Sequence, residues 1–264
     1  MGTRVNALTI AVSILFAAAC AVSGSLWLLY RARSISRAEA AYGLTTPHLP
    51  QIATAIGAAG GLVIGFIILY FASVTARFDP IEWVGRAAYV LVAGASAGHL
   101  LVLARSGHHL WREHGAWARP RGPGEGTLGH RRLRRLEQLR REHRHALDLR
   151  SRDDELVDEL VSVLGTPLLN VRRDLARIPF YGYLGTVCGI LLMAQELGGI
   201  NEATETFQVL SSMSRGLVLA FQTTLVALLA FLPLRKVTDY MVEQLGHLED
   251  EWTRARHEPV GEGT

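Results

Sequence analysis

Apolar residues are concentrated in five long runs that contain no Asp, Glu, Lys or Arg. The runs cover residues 7–30, 52–76, 87–104, 178–195 and 216–234. A helix needs about 20 apolar residues to cross the hydrocarbon core of a bilayer. Open sheets would leave backbone groups unsatisfied in lipid. The pattern therefore predicts an all-α integral membrane protein with about five transmembrane helices.

The polar residues fall between and after these runs, which predicts four consecutive segments. Residues 1–104 form a membrane region with three helices, and residues 105–177 form a long cytoplasmic segment that is partly helical. Residues 178–234 form a pair of transmembrane helices, and residues 235–264 form a cytoplasmic tail. Such segregation reconciles a chain that is 49% apolar with a charged fraction of 19%.

The first apolar run has an alternative interpretation. Arg4 and the sequence AAAC ending at Cys20 resemble a cleaved signal or a lipoprotein site. The run continues ten residues past Cys20, which favours a retained helix. Cys20 and Cys188 both fall inside predicted spans, so we expect buried thiols rather than a disulfide.

Arginine determines the predicted orientation. The chain has 27 Lys and Arg residues, of which 26 are Arg, and 16 of these lie in residues 105–177. Positive charge near helix ends stays in the cytoplasm. This places residues 105–177 inside, the turn at 77–86 and the loop at 196–215 outside, the N-terminus outside and the C-terminus inside.

The cytoplasmic segment divides further. Residues 111–129 are rich in Gly, Pro and Arg, which is typical of a flexible connector. Leucines at helical spacing predict a helix over 130–164, and the Gly-Thr-Pro sequence at 165–167 is expected to break it. A second run, 168–177, leads into the fourth span.

Residues 131–152 carry nine arginines and three acidic residues. Three interpretations remain open: a solvated helix face that reinforces topology, contact with anionic lipid head groups, and, least favoured, binding of nucleic acid.

We predict that the chain is not an enzyme and needs no cofactor. It has no glycine-rich phosphate loop and no Cys or His pair at metal-ligand spacing. His99 is an ionisable group inside a predicted span, which makes it a functional candidate. Its position near the end of that span favours a tolerated interfacial histidine.

Small residues line the last two spans. Gly182, Gly185 and Gly189 share one stripe of the fourth, and Gly216 and Ala220 share one of the fifth. Small residues let helix backbones approach closely in lipid. Because there are two such stripes, we expect a homo-oligomer as well as an internal hairpin.

Three threonines, Thr186, Thr223 and Thr224, interrupt these stripes. A membrane threonine usually bonds its hydroxyl to its own helix backbone. The alternative is that Thr186 and Thr224, with Thr223 as a less favoured member, face a polar path. The five spans contain no acidic residue, so the titrating carboxylate of any such path must come from another helix.

These residues resemble the MotA/TolQ/ExbB proton channel family. Pro179, Gly182, Gly189 and the sequence LGTV at 184–187 match one family motif, and Gly216, Ala220, Thr224 and Pro233 match the next. Two departures are Leu219, where TolQ and ExbB usually carry Glu, and Ala227, where the family usually has Gly. The first three spans match no motif of the family.

The resemblance implies a channel-forming, stator-type subunit of a proton- or sodium-driven motor complex in a bacterial inner membrane. It further implies a pentamer around a single-span partner that supplies an intramembrane Asp. The main alternative is a non-conducting membrane scaffold whose basic segment holds a partner. A secondary transporter is disfavoured because internal repeats and charged midplane groups are absent from the sequence.

Overall fold

The computed structural model describes residues 7–42, 44, 46–74, 79–117, 126–142, 146–198 and 206–254. The regular elements of this part of the chain are seven α-helices. They are α1 (Ala7–Ala41), α2 (Leu49–Val74), α3 (Pro80–Trp117), α4 (Leu128–Glu142), α5 (Ala146–Leu175), α6 (Ile178–Gly198) and α7 (Thr206–Arg254).

Five helical stretches are long and apolar enough to cross a membrane, which confirms the predicted fold class. They are Thr9–Arg37, Leu49–Ser73, Pro80–Ala116, Arg150–Leu197 and Met213–Arg254. Each contains one predicted span or most of it, and several extend well beyond it. The fourth stretch includes most of α5 and all of α6 except Gly198.

Helix α3 begins earlier and ends later than its apolar run. Asp79 Oδ1 accepts a hydrogen bond of 2.9 Å from the backbone N–H of Ile81, and Pro80 occupies the first helical position, where its missing N–H is not needed. The predicted turn at 77–86 is therefore wrong for 80–86, and the predicted connector at 111–129 is wrong for 111–117 and for the start of α4 at Leu128. Residues 118–125 lie outside the described part of the chain.

The helix break predicted at residues 165–167 is also wrong, since α5 continues through Pro167 to Leu175. Four aliphatic side chains on one face, one before Pro167 and three after it, are at most 4% exposed. Burial of each is worth about 1.5–3 kcal/mol, against about 3 kcal/mol for a proline inside a helix. They are Leu164, Leu168, Val171 and Leu175.

The break falls instead at residues 176–177, just before Pro179. A helix continued through Pro179 would clash with the carbonyl of Leu175. The Arg177 carbonyl accepts the N–H of Phe180 at 3.1 Å. Pro179 thus lies in the first turn of α6.

One compact unit consists of Met1–Ala32, Pro50–Leu101 and Arg173–Arg235. Helices α1 and α2 pack through glycine in this unit. A Cβ added to Gly57 would lie 2.5 Å from the carbonyl oxygen of Gly24, and one added to Gly60 would lie 3.0 Å from Ala97 Cβ of α3. These helices therefore approach backbone to backbone, as small residues allow in lipid.

The other compact unit consists of Arg33–Leu49, Val102–Arg172 and Lys236–Thr264. A buried ion pair joins α4 and α5, with Arg132 Nε and Nη2 at 2.9 and 2.7 Å from the two carboxylate oxygens of Asp153. Arg132 Nη1 also donates to the carbonyl of Trp252 in α7 at 2.7 Å. All three residues are at most 2% exposed. This bidentate geometry fixes the position of α4.

A second buried polar cluster in this unit surrounds Glu39. Its Oε1 lies 2.7 Å from His109 Nε2 and 2.5 Å from Arg105 Nε, and its Oε2 accepts a 3.0 Å hydrogen bond from Thr46. Burial by itself raises the pKa of this carboxyl, but the hydrogen bonds and charges of His109 and Arg105 outweigh burial. They lower the pKa of Glu39 from 4.5 to about 2.

Candidate functional site

The glycine stripe of α6 packs directly on the small-residue stripe of α7. A Cβ added to Gly182 would lie 2.6 Å from Ala227 Cβ, and one added to Gly216 would lie 2.6 Å from the carbonyl oxygen of Gly189. Both values are too short for real Cβ contacts. The two stripes therefore pack against each other and close one hairpin within the chain.

Thr223 belongs to this hairpin interface. Its side chain is 2% exposed, and a Cβ added to Gly185 would lie closer than 3.0 Å to it. Its Oγ1 donates within α7, to the carbonyls of Leu219 at 2.9 Å and Ala220 at 3.1 Å. Thr223 therefore fills space opposite Gly185 and satisfies its hydroxyl on its own helix, as expected of a packing threonine.

Thr186 and Thr224 face each other across the same hairpin. Their Oγ1 atoms lie 2.5 Å apart, and both side chains are half-buried. The Ala220 carbonyl lies 3.1 Å from the Thr186 hydroxyl and 3.2 Å from the Thr224 hydroxyl. The Gly182 carbonyl lies 3.2 Å from Thr186 Oγ1. The structure thus brings together the two threonines that the sequence analysis placed on one path and separates Thr223 from them.

The donor and acceptor count of this pair leaves room for another group. One hydroxyl donates to the other, whose own proton goes to a backbone carbonyl. Each hydroxyl oxygen has two lone pairs, so the pair can still accept hydrogen bonds from water or from a protonated carboxyl. Because the protons can also turn away from the carbonyls, the pair can solvate a carboxylate without carrying charge itself.

Helix α3 covers the other side of the hairpin. A Cβ added to Gly85 of α3 would lie 2.9 Å from Leu219 Cδ2 and 3.0 Å from Cys188 Cβ. Leu219 and Thr224 are five residues apart, which places them about 140° apart around α7. Leu219, at the position where TolQ and ExbB usually have Glu, is therefore packed against α3 and directed away from Thr224.

The side of the hairpin that carries Thr186 and Thr224 is open in the described part of the chain. The side chains one or two turns from these threonines, on the same stripes, have exposed fractions of 40% to 65%. They are Tyr183, Ile190, Leu217 and Leu228.

An apolar groove of about 480 Å³ lies near the end of α7 that precedes Thr224. It includes Leu217, which shares the stripe of Thr224 at a distance of two turns. Its lining residues are Met193, Leu210, Met213, Ser214, Leu217, Val218, Phe221 and Gln222.

The prolines and cysteines singled out in the sequence lie within the helices. Pro179 lies in the first turn of α6, and Pro233 lies inside α7, which continues to Arg254. Cys188 is a buried free thiol, as predicted, whereas the free thiol of Cys20 is only half-buried. Sequence reasoning missed Gly85, since it was assigned to a turn. The sequence Asp79-Pro80 could have predicted that Gly85 is helical, because Asp is a favoured N-cap residue and Pro is favoured at the first helical position.

Comparison with known families supports the resemblance over part of the chain. Residues 170–253, which include α6 and all of α7 except Arg254, match the model of the MotA/TolQ/ExbB proton channel family. No curated protein and no solved structure matches the chain.

Proposed function

We propose that this chain, whose residues 170–253 form a MotA/TolQ/ExbB family region, is the channel-forming, stator-type subunit of a proton- or sodium-driven complex. The observation that carries the proposal is the hydroxyl pair of Thr186 and Thr224, 2.5 Å apart on the open side of the α6–α7 hairpin. In this proposal the pair lines an ion path in a bacterial inner membrane, with the N-terminus outside and the C-terminus in the cytoplasm.

The ion-carrying carboxylate comes from a partner helix. Residues 178–195 and 216–234 contain no charged side chain, and an ion path normally needs an ionisable group at depth. Leu219 is 8% exposed and packs against Gly85, so the position where relatives carry Glu is filled by an apolar contact. A single-span partner with an intramembrane Asp supplies the missing group, and its carboxyl lies against the threonine pair.

The open side of the hairpin is also the face on which this partner and neighbouring subunits pack. A homo-oligomer, by resemblance a pentamer, surrounds the partner with copies of this face. The Gly and Ala stripes are enclosed in each hairpin. Contacts between subunits therefore use the larger exposed side chains, among which Phe221 is 68% exposed.

The test is to purify the tagged chain from native membranes with its partner and to reconstitute the complex in vesicles. Vesicles with the complex are expected to dissipate an imposed proton or sodium gradient, and vesicles with this chain alone are expected to hold it. Replacing the partner's intramembrane Asp by Asn should abolish the flux while the complex still co-purifies.

A non-conducting scaffold is the second candidate, and Leu219 is the observation that favours it. A chain that had lost a shared Glu would still assemble around a partner through the same hairpin. A complex that co-purifies intact but moves neither ion under any driving force would establish this second function in place of the first.

A further inference from the structure

We propose that the groove between α4 and α5 binds a phosphate-bearing anion, at a site separate from the ion path. The groove has a volume of about 430 Å³ and is lined by Arg131, Arg134, Arg135, Gln138, Leu156 and Glu159. Phosphate can reach such a site as a lipid head group or as a free phosphate compound, and the chemistry of recognition is the same for both.

The basic side of the groove is one face of α4. Arg131, Arg134, Arg135 and Gln138 are spaced at i, i+3, i+4 and i+7, which places them on a single helical stripe. Gln138 accepts a 3.1 Å hydrogen bond from Arg135 Nη1, so its amide N–H₂ stays available to a ligand. Three guanidiniums and one amide therefore line the same space.

Helix α4 is held rigidly enough to present this face in one orientation. Arg132, about 100° from Arg131 around the helix, forms the buried ion pair with Asp153. At its N-terminus, the Glu113 carboxylate accepts the backbone N–H groups of Leu128 and Gly129 at 2.7 and 3.1 Å. A ligand therefore meets a surface that needs little ordering on binding.

The positive charge that a ligand can use in this groove comes from Arg131 and Arg135. Arg131 has its guanidinium 5.7 Å from the ring centroid of Tyr42, and neither it nor Arg135 forms an ion pair within the described residues. Glu159 of α5 is the one acidic residue among the six that line the groove. The site therefore has an excess of positive charge that an anion can neutralise.

Arginine favours phosphate over other common anions. The planar guanidinium donates two parallel hydrogen bonds that match the spacing of phosphate oxygens. A phosphate group has enough oxygens to engage two guanidiniums and the Gln138 amide together, whereas a carboxylate has only two.

The test uses the full chain purified in an uncharged detergent. Inorganic pyrophosphate and the short-chain lipid dioctanoyl phosphatidylglycerol are each titrated against it, and binding is followed by calorimetry. The variant Arg131→Gln/Arg135→Gln should weaken binding of the active probe at least about tenfold. The control Arg150→Gln/Arg152→Gln removes the same charge from exposed positions on α5 outside the groove and should bind like wild type.

A third variant excludes misfolding as the explanation. Glu159→Gln removes the negative charge of the groove and is expected to tighten binding several-fold, which damage to the fold would not do. Groove-dependent binding of the lipid alone identifies a head group as the natural ligand. Binding of pyrophosphate as well, or alone, identifies a free phosphate compound. Equal effects of the groove and control variants, or no saturable binding of either probe, would overturn the proposal and leave a solvated basic face.

Discussion

Thr223 and Thr224 are adjacent in the sequence but occupy different environments. Both lie next to small-residue stripes of α7, so the sequence alone left open which one faces a path. The structure resolves this through the partner helix, because Gly185 lies opposite Thr223 and Thr186 lies opposite Thr224. The difference arises from the rotation of α6 relative to α7, which no local pattern in α7 encodes.

Acid should weaken the fold through Glu39. Its folded-state pKa is lowered from 4.5 to about 2, so the stabilisation is present above about pH 4.5 and is lost as the pH falls towards 2. The shift corresponds to about 3 kcal/mol. We expect Glu39→Gln to lower the thermal unfolding midpoint of the detergent-solubilised chain at pH 5.5 and to flatten its decline between pH 5.5 and 3.

Glu251→Gln is the matched control, because this exposed glutamate of α7 loses the same charge. It should leave the midpoint and its decline with pH close to those of the wild type. A Glu39→Gln chain that kept the steep acid dependence of the wild type would show that other groups are responsible.

At the scale of helices, the two prolines near the α5–α6 junction differ in their effect: the helix continues through Pro167 but is interrupted just before Pro179. Pro167 lies within a helix because buried leucines before and after it hold the two halves on one face. Pro179 follows the break at 176–177 and lies in the first turn of α6. Sequence patterns indicate which residues can end a helix, but the tertiary burial that overrides such a signal depends on residues distant in the chain.

The glycines of α6 yield a test of hairpin packing. A Cβ at Gly185 would lie closer than 3.0 Å to Thr223, whereas one at Gly94 of α3 would have no side-chain neighbour within 4 Å. We expect Gly185→Ala to destabilise the chain by about 1–3 kcal/mol through overpacking. Gly94→Ala should be neutral or stabilising by up to about 1 kcal/mol, since alanine favours helix.

Unfolding by a denaturing detergent in mixed micelles, followed by loss of helical circular dichroism, measures both variants. Equal stability of the two variants would mean that the hairpin does not close through Gly185.

At the scale of the whole molecule, the number of spans and the α6–α7 motifs could be predicted from sequence because hydropathy and glycine spacing are local signals. The contact of Gly85 with Leu219 and Cys188 could not, since it joins residues more than 100 positions apart. The extensions of α1 and α3 were missed for another reason. Their ends are polar, so hydropathy does not reveal them. Buried polar contacts such as that of Glu39 with His109 stabilise these ends.

The orientation of the chain in the membrane is a prediction that rests on the distribution of its arginines. Single cysteines at positions 5, 120 and 205, introduced into a chain without Cys20 and Cys188, test it with a membrane-impermeant maleimide in intact cells. Positions 5 and 205 should react from outside, and position 120 only after the membrane is permeabilised. Reaction of position 120 in intact cells would reverse the orientation.

The central claim is that the Thr186–Thr224 pair lines an ion path. Its most direct test is the ion flux of the reconstituted complex with Thr224→Val, Thr186→Val or Thr223→Val, each of which removes one hydroxyl at nearly constant shape. Loss of a hydroxyl that solvates the partner's carboxylate should slow flux roughly tenfold in the first two variants, the effect of about 1.4 kcal/mol on a barrier. Thr223→Val should retain most of the flux, because the Thr223 hydroxyl donates to carbonyls of its own helix. Full flux in Thr224→Val and Thr186→Val, with assembly unchanged, would contradict the account and return both threonines to a packing role.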